Sequence, residues 1–325
     1  MFYNIGKCLK IKENEKEKER RQSMSSKEFQ EYRKQFREGP PPQEFPPESI
    51  PEEYRSLGVP MLPPDISFEP EIPEGYEGEA VTIGGVKGLY VTKPNLSKKV
   101  AHMHIHGGGY TVGTAMKSGE LLAHFIEKTG LPGYSVEYRM GPYHQHPAGL
   151  EDCLNFYLGL LEQGYEKIVV GGESAGASLT LCLVHCLKQK GLPLPAVIWC
   201  SSPPVDQYFD QEELYLRDMF VDTAESIRKV YFEGTEREDP LASPIYGDLS
   251  GFPPMVIQAG EQESLSAGVV RFVEKACRAG NEVHFTFGKE MLHTFALDYK
   301  LYPEAEYAMN EITNFISFQL KLQEA

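Results

Sequence analysis

The pentapeptide Gly172-Glu173-Ser174-Ala175-Gly176 constrains the fold of this chain more than any other stretch. It follows a strand-like run, Lys167-Ile168-Val169-Val170, and opens a helical pattern from Ala175 to Lys190. Passing from a buried strand into a helix within one tight turn requires small residues around the turn, and the two glycines and the alanine supply them. The residue at the apex is then held clear of the sheet, and here it is Ser174. A strand-turn-helix unit of this kind belongs to α/β architecture, in which parallel strands feed helices packed on the sheet. Read functionally it is a nucleophile elbow, although Gly-rich turns after strands also serve purely structural ends.

A second glycine-rich element, His106-Gly107-Gly108-Gly109, follows the strand-like stretch Val100 to His106. Its flexible backbone can aim N–H groups at a developing oxyanion. Further along stand Tyr138-Arg139-Met140-Gly141-Pro142, Pro147-Ala148-Gly149-Leu150-Glu151-Asp152, Asp239-Pro240-Leu241-Ala242-Ser243-Pro244 and Gly251-Phe252-Pro253-Pro254. With these landmarks in one order, the chain from about Glu79 to its C-terminus resembles the hormone-sensitive lipase family of α/β-hydrolase esterases. The resemblance implies an α/β-hydrolase fold: a mostly parallel central sheet, helices on both faces and a small helical cap. It also implies short-chain carboxylic esters as substrates; acetyl groups are the leading expectation among them, and serine chemistry calls for no metal or organic cofactor.

Chain order helps to complete a catalytic set, because α/β-hydrolases place serine first, the acid second and histidine last. Pro254 to Gly260 reads as a buried strand, and Glu263 lies in the loop beyond it. The family's loop usually reads Asp-x-Leu-x-Asp or Glu-x-Leu-x-Asp. Glu263-Ser264-Leu265-Ser266-Ala267 keeps the first acid and has Ala267 in place of the second, which favours Glu263 over Glu261. After a strand from Glu282 to Phe287, Met291-Leu292-His293-Thr294-Phe295 resembles Met-x-His-x-Phe and marks His293 as general base. His293 would take the Ser174 proton and return it to the leaving alcohol, while Glu263 holds the imidazole tautomer. The N–H groups of Gly107, Gly108 and Ala175 would form the oxyanion hole. Glu263 has a competing reading as a solvated loop residue. Glu173 stands where the family commonly has Asp, and its longer side chain is expected to alter packing around the elbow without joining the chemistry.

Other readings stay open on the sequence alone. His102, His104 and His106 share one face of a strand, as metal ligands can, so a metal-dependent hydrolase competes. No second ligand cluster at metal-binding spacing accompanies them. The simpler reading makes His106 the start of the oxyanion loop, packs His102 and His104 under a helix, and leaves His144 and His146 in a surface loop. An amidase or peptidase could use the same triad. Plant gibberellin receptors resemble the family as non-catalytic binders lacking the histidine, a reading that His293 opposes.

With 325 residues, one hydrolase domain with a cap fills the chain. A net charge of -15 argues against nucleic acid and anionic membranes as partners. No apolar stretch reaches the ~18–20 residues of a membrane span, and no uninterrupted signal-peptide core is evident, so a soluble cytoplasmic protein is expected. Cys8, Cys153, Cys182, Cys186, Cys200 and Cys277 fall mainly in apolar patterns that suit reduced thiols. Residues 1–38 read as a charged N-terminal segment, with Lys10 to Arg21 as a solvated helix, Met24 as a second candidate start and a short helix from Ser26 to Arg37. A proline-rich segment over 39–75 can wrap the core or contribute to the cap, and 76–325 forms the hydrolase domain. Val81-Thr82-Ile83, Gly84-Gly85 and Gly88 to Val91 predict a hairpin. An insertion at about 205–238 predicts a pair of cap helices, in which Tyr208, Phe209, Tyr215, Met219 and Phe220 are candidates to line an acyl pocket.

Overall fold

The computed structural model describes residues 25–38, 51–57, 59–63, 66–208 and 221–322. Cys8, the charged run Lys10 to Arg21, Met24, residues 39–50 of the proline-rich segment, and Phe209, Tyr215, Met219 and Phe220 lie outside the described residues.

Eight strands form one sheet: β1 (Glu77–Ile83), β2 (Val86–Thr92), β3 (Val100–Ile105), β4 (Gly133–Val136), β5 (Lys167–Glu173), β6 (Val197–Ser201), β7 (Met255–Gly260) and β8 (Val283–Gly288). Their spatial order is β1-β2-β4-β3-β5-β6-β7-β8. The predicted hairpin is present and longer than its apolar centre, with Ile83 opposite Val86. Gly84 and Gly85 turn it at φ of +56° and +79°, angles that favour glycine and match the mirror-image turn of tight hairpins. β2 also runs antiparallel to β4, and every pairing from β4 through β8 is parallel.

Seven helices complete the described fold: α1 (Lys27–Glu38), α2 (Gly119–Thr129), α3 (Ala148–Glu162), α4 (Ala175–Lys190), α5 (Val221–Tyr231), α6 (Ser266–Arg278) and α7 (Pro303–Leu320). Adjacent residues on the central strands enter different cores, as the two-residue repeat of a strand requires. Val170, Ile198 and Ile257 pack with Phe156 of α3, Leu183 of α4 and Phe272 of α6. Val169, Trp199 and Val256 pack with Phe125 of α2 and Met309 of α7. Helices on both faces explain why these strands read as continuous apolar runs. Cys153, Cys182, Cys186 and Cys200 are buried, whereas Cys277 is exposed. Among the described residues no helix is long and apolar enough to cross a membrane.

The predicted helix after Ser26 docks on the core. Ser26 Oγ accepts from Phe29 N–H and donates to Glu304 on α7, and the Phe29 ring meets Tyr302 edge-on at 5.0 Å. Between β6 and β7 the described residues hold one cap helix, α5, where a pair was expected; residues 209–220 are outside the description. Val230 at its end packs with Val59 and Met61, and Ser226 Oγ donates to the Leu57 carbonyl at 2.9 Å.

The elbow itself is fixed by a close approach. A Cβ on Gly172 would lie 2.1 Å from the Ile105 carbonyl oxygen, and one on Gly176 would lie 1.8 Å from it. Both distances fall well inside van der Waals contact with a backbone that cannot swing aside. We expect Gly176→Ala to lower unfolding stability by at least about 2 kcal/mol through overpacking. Chemical denaturation measures this, and an unchanged midpoint would show that β3 yields where it is drawn as rigid.

Candidate active site

Ser174 follows the last residue of β5 and occupies φ 51°, ψ −122°, a conformation a non-glycine residue holds only under constraint. Its N–H donates to the Ser201 carbonyl at 2.8 Å, tying the apex to the end of β6. Glu263 lies three residues beyond β7 and is fully buried. His293 lies five residues beyond β8, in a loop anchored by the buried side chains of Met291 and Phe295. The three residues singled out by motif are brought together: His293 Nε2 is 2.9 Å from Ser174 Oγ, and His293 Nδ1 is 2.5 Å from Glu263 Oε2. The second Glu263 oxygen accepts from Gly260 N–H at 2.9 Å. Glu261 points elsewhere, accepting from Glu290 N–H at 2.8 Å. The acid and histidine loops are also joined through backbone, by Glu261 N–H to Gly288 O and Gln262 N–H to Met291 O. Ser202 Oγ, which the sequence did not single out, accepts from Thr294 N–H beside the histidine.

The glycine loop after β3 departs from expectation at Gly107. Its N–H, expected in the oxyanion hole, turns inward and donates to Glu173 Oε1 at 2.6 Å. The physical reason is the Glu173 carboxylate beside the elbow serine, which reaches the loop and takes that donor. Gly108 follows at φ +112°, where a Cβ would meet the Val112 carbonyl oxygen at 2.1 Å. Among the described residues no acceptor is found for the N–H groups of Gly108, Gly109 or Ala175. Ala175 opens α4, where the first N–H groups have no partner within the helix. Tyr138, recognised only as a family landmark, donates its hydroxyl to the His106 carbonyl at 2.9 Å and holds the root of the loop. Ile227 of α5 closes over the loop, its Cδ1 3.2 Å from where a Cβ of Gly109 would sit.

The β3 histidines share one face of the sheet, yet each is engaged separately. His102 Nε2 accepts from the Trp199 indole N–H at 2.9 Å, and its ring stacks on Phe125 of α2 at 4.3 Å. His104 contacts Ser135 and Glu173. His106 Nδ1 donates to the Gly107 carbonyl at 2.8 Å while its ring stacks on Tyr138. Among the described residues no group of three or more His, Cys, Asp or Glu side chains is arranged to hold a metal ion. His144 is exposed, as expected of a surface loop. His146 instead tucks its ring against Phe232 at 5.5 Å, because the end of the cap insertion folds over it.

The fold agrees with what the chain is similar to. The family profile of the alpha/beta hydrolase fold matches residues 102–297. An acetyl-hydrolase of Streptomyces hygroscopicus is 32% identical over 74% of this chain and 82% of its own length. The crystal structure of EstE7, a hormone-sensitive lipase homologue from a metagenome library, superposes with a TM-score of 0.71 at 30% identity, covering 77% of this chain and 88% of that one. An esterase from the bacterial hormone-sensitive lipase family gives a TM-score of 0.76 at 27% identity over 90% of this chain and 98% of the other. The chain belongs to the hormone-sensitive lipase family of α/β-hydrolases.

Buried and half-buried histidines carry a prediction for stability. Burial pushes His102 well below the ordinary value, and burial with nearby lysines brings His124 and His185 down to about 4. Unfolded, these groups take up protons near 6.5, so between that pH and about 4 the unfolded chain binds more protons than the folded one. Stability is therefore lost as pH falls through this window, by at most about 1.4 kcal/mol per pH unit for each histidine. Urea denaturation should show a midpoint falling steadily from about pH 7 to about pH 5. A flat profile would mean that these imidazoles titrate as they do in the unfolded chain.

Proposed function

We propose that this chain is a serine carboxylesterase that hydrolyses short-chain esters, acetyl esters foremost, through an acyl-enzyme on Ser174. The observation that carries the reading is the unbroken contact chain from Ser174 Oγ through His293 to the buried Glu263. A serine hydroxyl alone is a poor nucleophile. His293 Nε2 takes its proton as Oγ attacks the ester carbonyl, and Glu263 fixes the tautomer and stabilises the imidazolium. Negative charge then gathers on the former carbonyl oxygen. The free N–H groups of Gly108, Gly109 and Ala175 suit that position, with Gly109 taking the place first given to Gly107. Each such donor is worth about 2.7–4 kcal/mol of transition-state stabilisation.

Collapse of the intermediate expels the alcohol, which leaves with the proton from His293. Water, deprotonated by the same imidazole, then attacks the acyl-enzyme and frees the acid from Ser174. The name of the Streptomyces relative supports an acetyl substrate. The closeness of Ile227 to the glycine loop supports a confined site. The cap, in this reading, combines α5 with Tyr54, Leu57, Val59 and Met61, which pack against it. His293 within reach of both partners favours turnover over the binding role of the non-catalytic relatives.

Ser174→Ala should abolish hydrolysis of nitrophenyl acetate and labelling by a fluorophosphonate while leaving the fold unchanged. Activity retained by that variant would sink the assignment. With the intact enzyme, acetate should be turned over faster than octanoate, and the matched anilide should lag far behind the ester; the reverse orders would point to a lipase-like or an amidase role. The acid is tested separately. Glu263→Gln should lower kcat by about 10²–10⁴-fold with little change in KM, because charge is lost and shape kept. Glu261→Gln keeps an acceptor for Glu290 and should stay within about twofold of the parent. If the two variants exchange behaviour, the acid has been assigned to the wrong carboxylate.

A further inference from the structure

We propose that His104 is a positioning residue for the oxyanion loop, acting through Glu173; the proposal rests on the serine-esterase reading above. His104 is buried on β3, with 2% of its surface exposed. Its Nε2 lies 2.8 Å from Glu173 Oε2, and its Nδ1 lies 3.0 Å from Ser135 Oγ on β4. Ser135 Oγ is in turn 3.0 Å from Ser118 Oγ, at the head of α2. The imidazole plane lies nearly parallel to that of Trp199, with ring centroids 6.0 Å apart.

A carboxylate can only accept, so His104 Nε2 carries the proton of that bond. One oxygen of Glu173 is thereby pinned to a ring fixed in the sheet. The other must then stand where it receives Gly107 N–H at 2.6 Å. This sets the plane of the peptide entering Gly107, and with it the direction in which the N–H groups of Gly108 and Gly109 leave the loop. Burial alone would raise the Glu173 carboxyl; His104 and the Gly107 N–H outweigh it and hold the group below the ordinary value. The bond to the loop is thus a charge-assisted one.

Removing His104 leaves a largely buried carboxylate with one partner fewer, free to rotate or to protonate, and the loop loses its anchor. The effect should appear where charge develops on the substrate oxygen and be absent from binding of the uncharged ester. His104→Leu should lower kcat for nitrophenyl acetate by about 10- to 100-fold with KM within about twofold of the parent. His104→Gln, which can offer an N–H to Glu173, should recover most of the loss. Because the two residues act in series, His104→Leu should cost little more in a Glu173→Gln background, which itself shows the same kcat-selective loss.

A folded His104→Leu with parental kcat would overturn the proposal. So would losses that are equal in the Leu and Gln variants, additive with Glu173→Gln, or expressed in KM. Should His104→Leu fail to fold, Glu173→Gln decides, since it preserves shape; unchanged kcat in that variant overturns the proposal. Ser174→Ala, run alongside, separates the two layers. Activity that survives it sinks the esterase reading, whereas activity that needs Ser174 and ignores His104 sinks this inference alone.

Discussion

The Ile105 carbonyl at the end of β3 lies against the turn that carries Ser174, so closely that neither Gly172 nor Gly176 has room for a methyl group. That approach follows from the β3–β5 register, in which Ile105 is paired with Gly172. It brings the glycine loop and the serine to neighbouring strand ends, with a Cβ on Gly107 only 3.2 Å from Ser174 Cβ. The proposed oxyanion donors and the proposed nucleophile thus share one corner of the sheet. The price is a serine at positive φ, a strain of about 1–3 kcal/mol that surrounding contacts must offset. Bonds from Ser174 N–H to Ser201 O and from Ser178 N–H to Ser174 O help to hold it.

Two carboxylates withdrawn from solvent flank this corner, and they are built alike. Each accepts one backbone N–H and faces one imidazole: Glu263 has Gly260 and His293, while Glu173 has Gly107 and His104. A carboxylate kept from water is tolerable only with such partners. What differs is the far nitrogen of each imidazole. That of His293 meets Ser174, whereas that of His104 meets Ser135. The same local chemistry can serve proton transfer in one place and fix a loop in the other.

Those features that are local in the chain were readable before the fold was known. The strand, elbow and helix around Ser174 are contiguous, as are the Gly84–Gly85 turn and the stretch around His293. The Arg139 and Asp152 landmarks, used only to recognise the family, prove to brace each other through a bond from Arg139 Nε at 2.9 Å. The inward turn of Gly107 could not be read in the same way. It depends on a side chain 66 positions away that only sheet register brings close. His146 does lie in a loop, but its ring is drawn inward by aromatic residues that the cap insertion brings back to the core, a long-range contact that the local sequence does not announce.

At the end of β6, two consecutive residues hold the two halves of the proposed relay. Ser201 receives the backbone of Ser174, and Ser202 receives the backbone of Thr294, next to His293. The acid and histidine loops are joined to each other through backbone bonds, and the serine turn is held against the end of β3. The two meet at a single contact, Ser174 Oγ to His293 Nε2. A dipeptide at one strand end therefore acts as a common anchorage, giving the serine turn and the histidine loop the same point of attachment on the sheet.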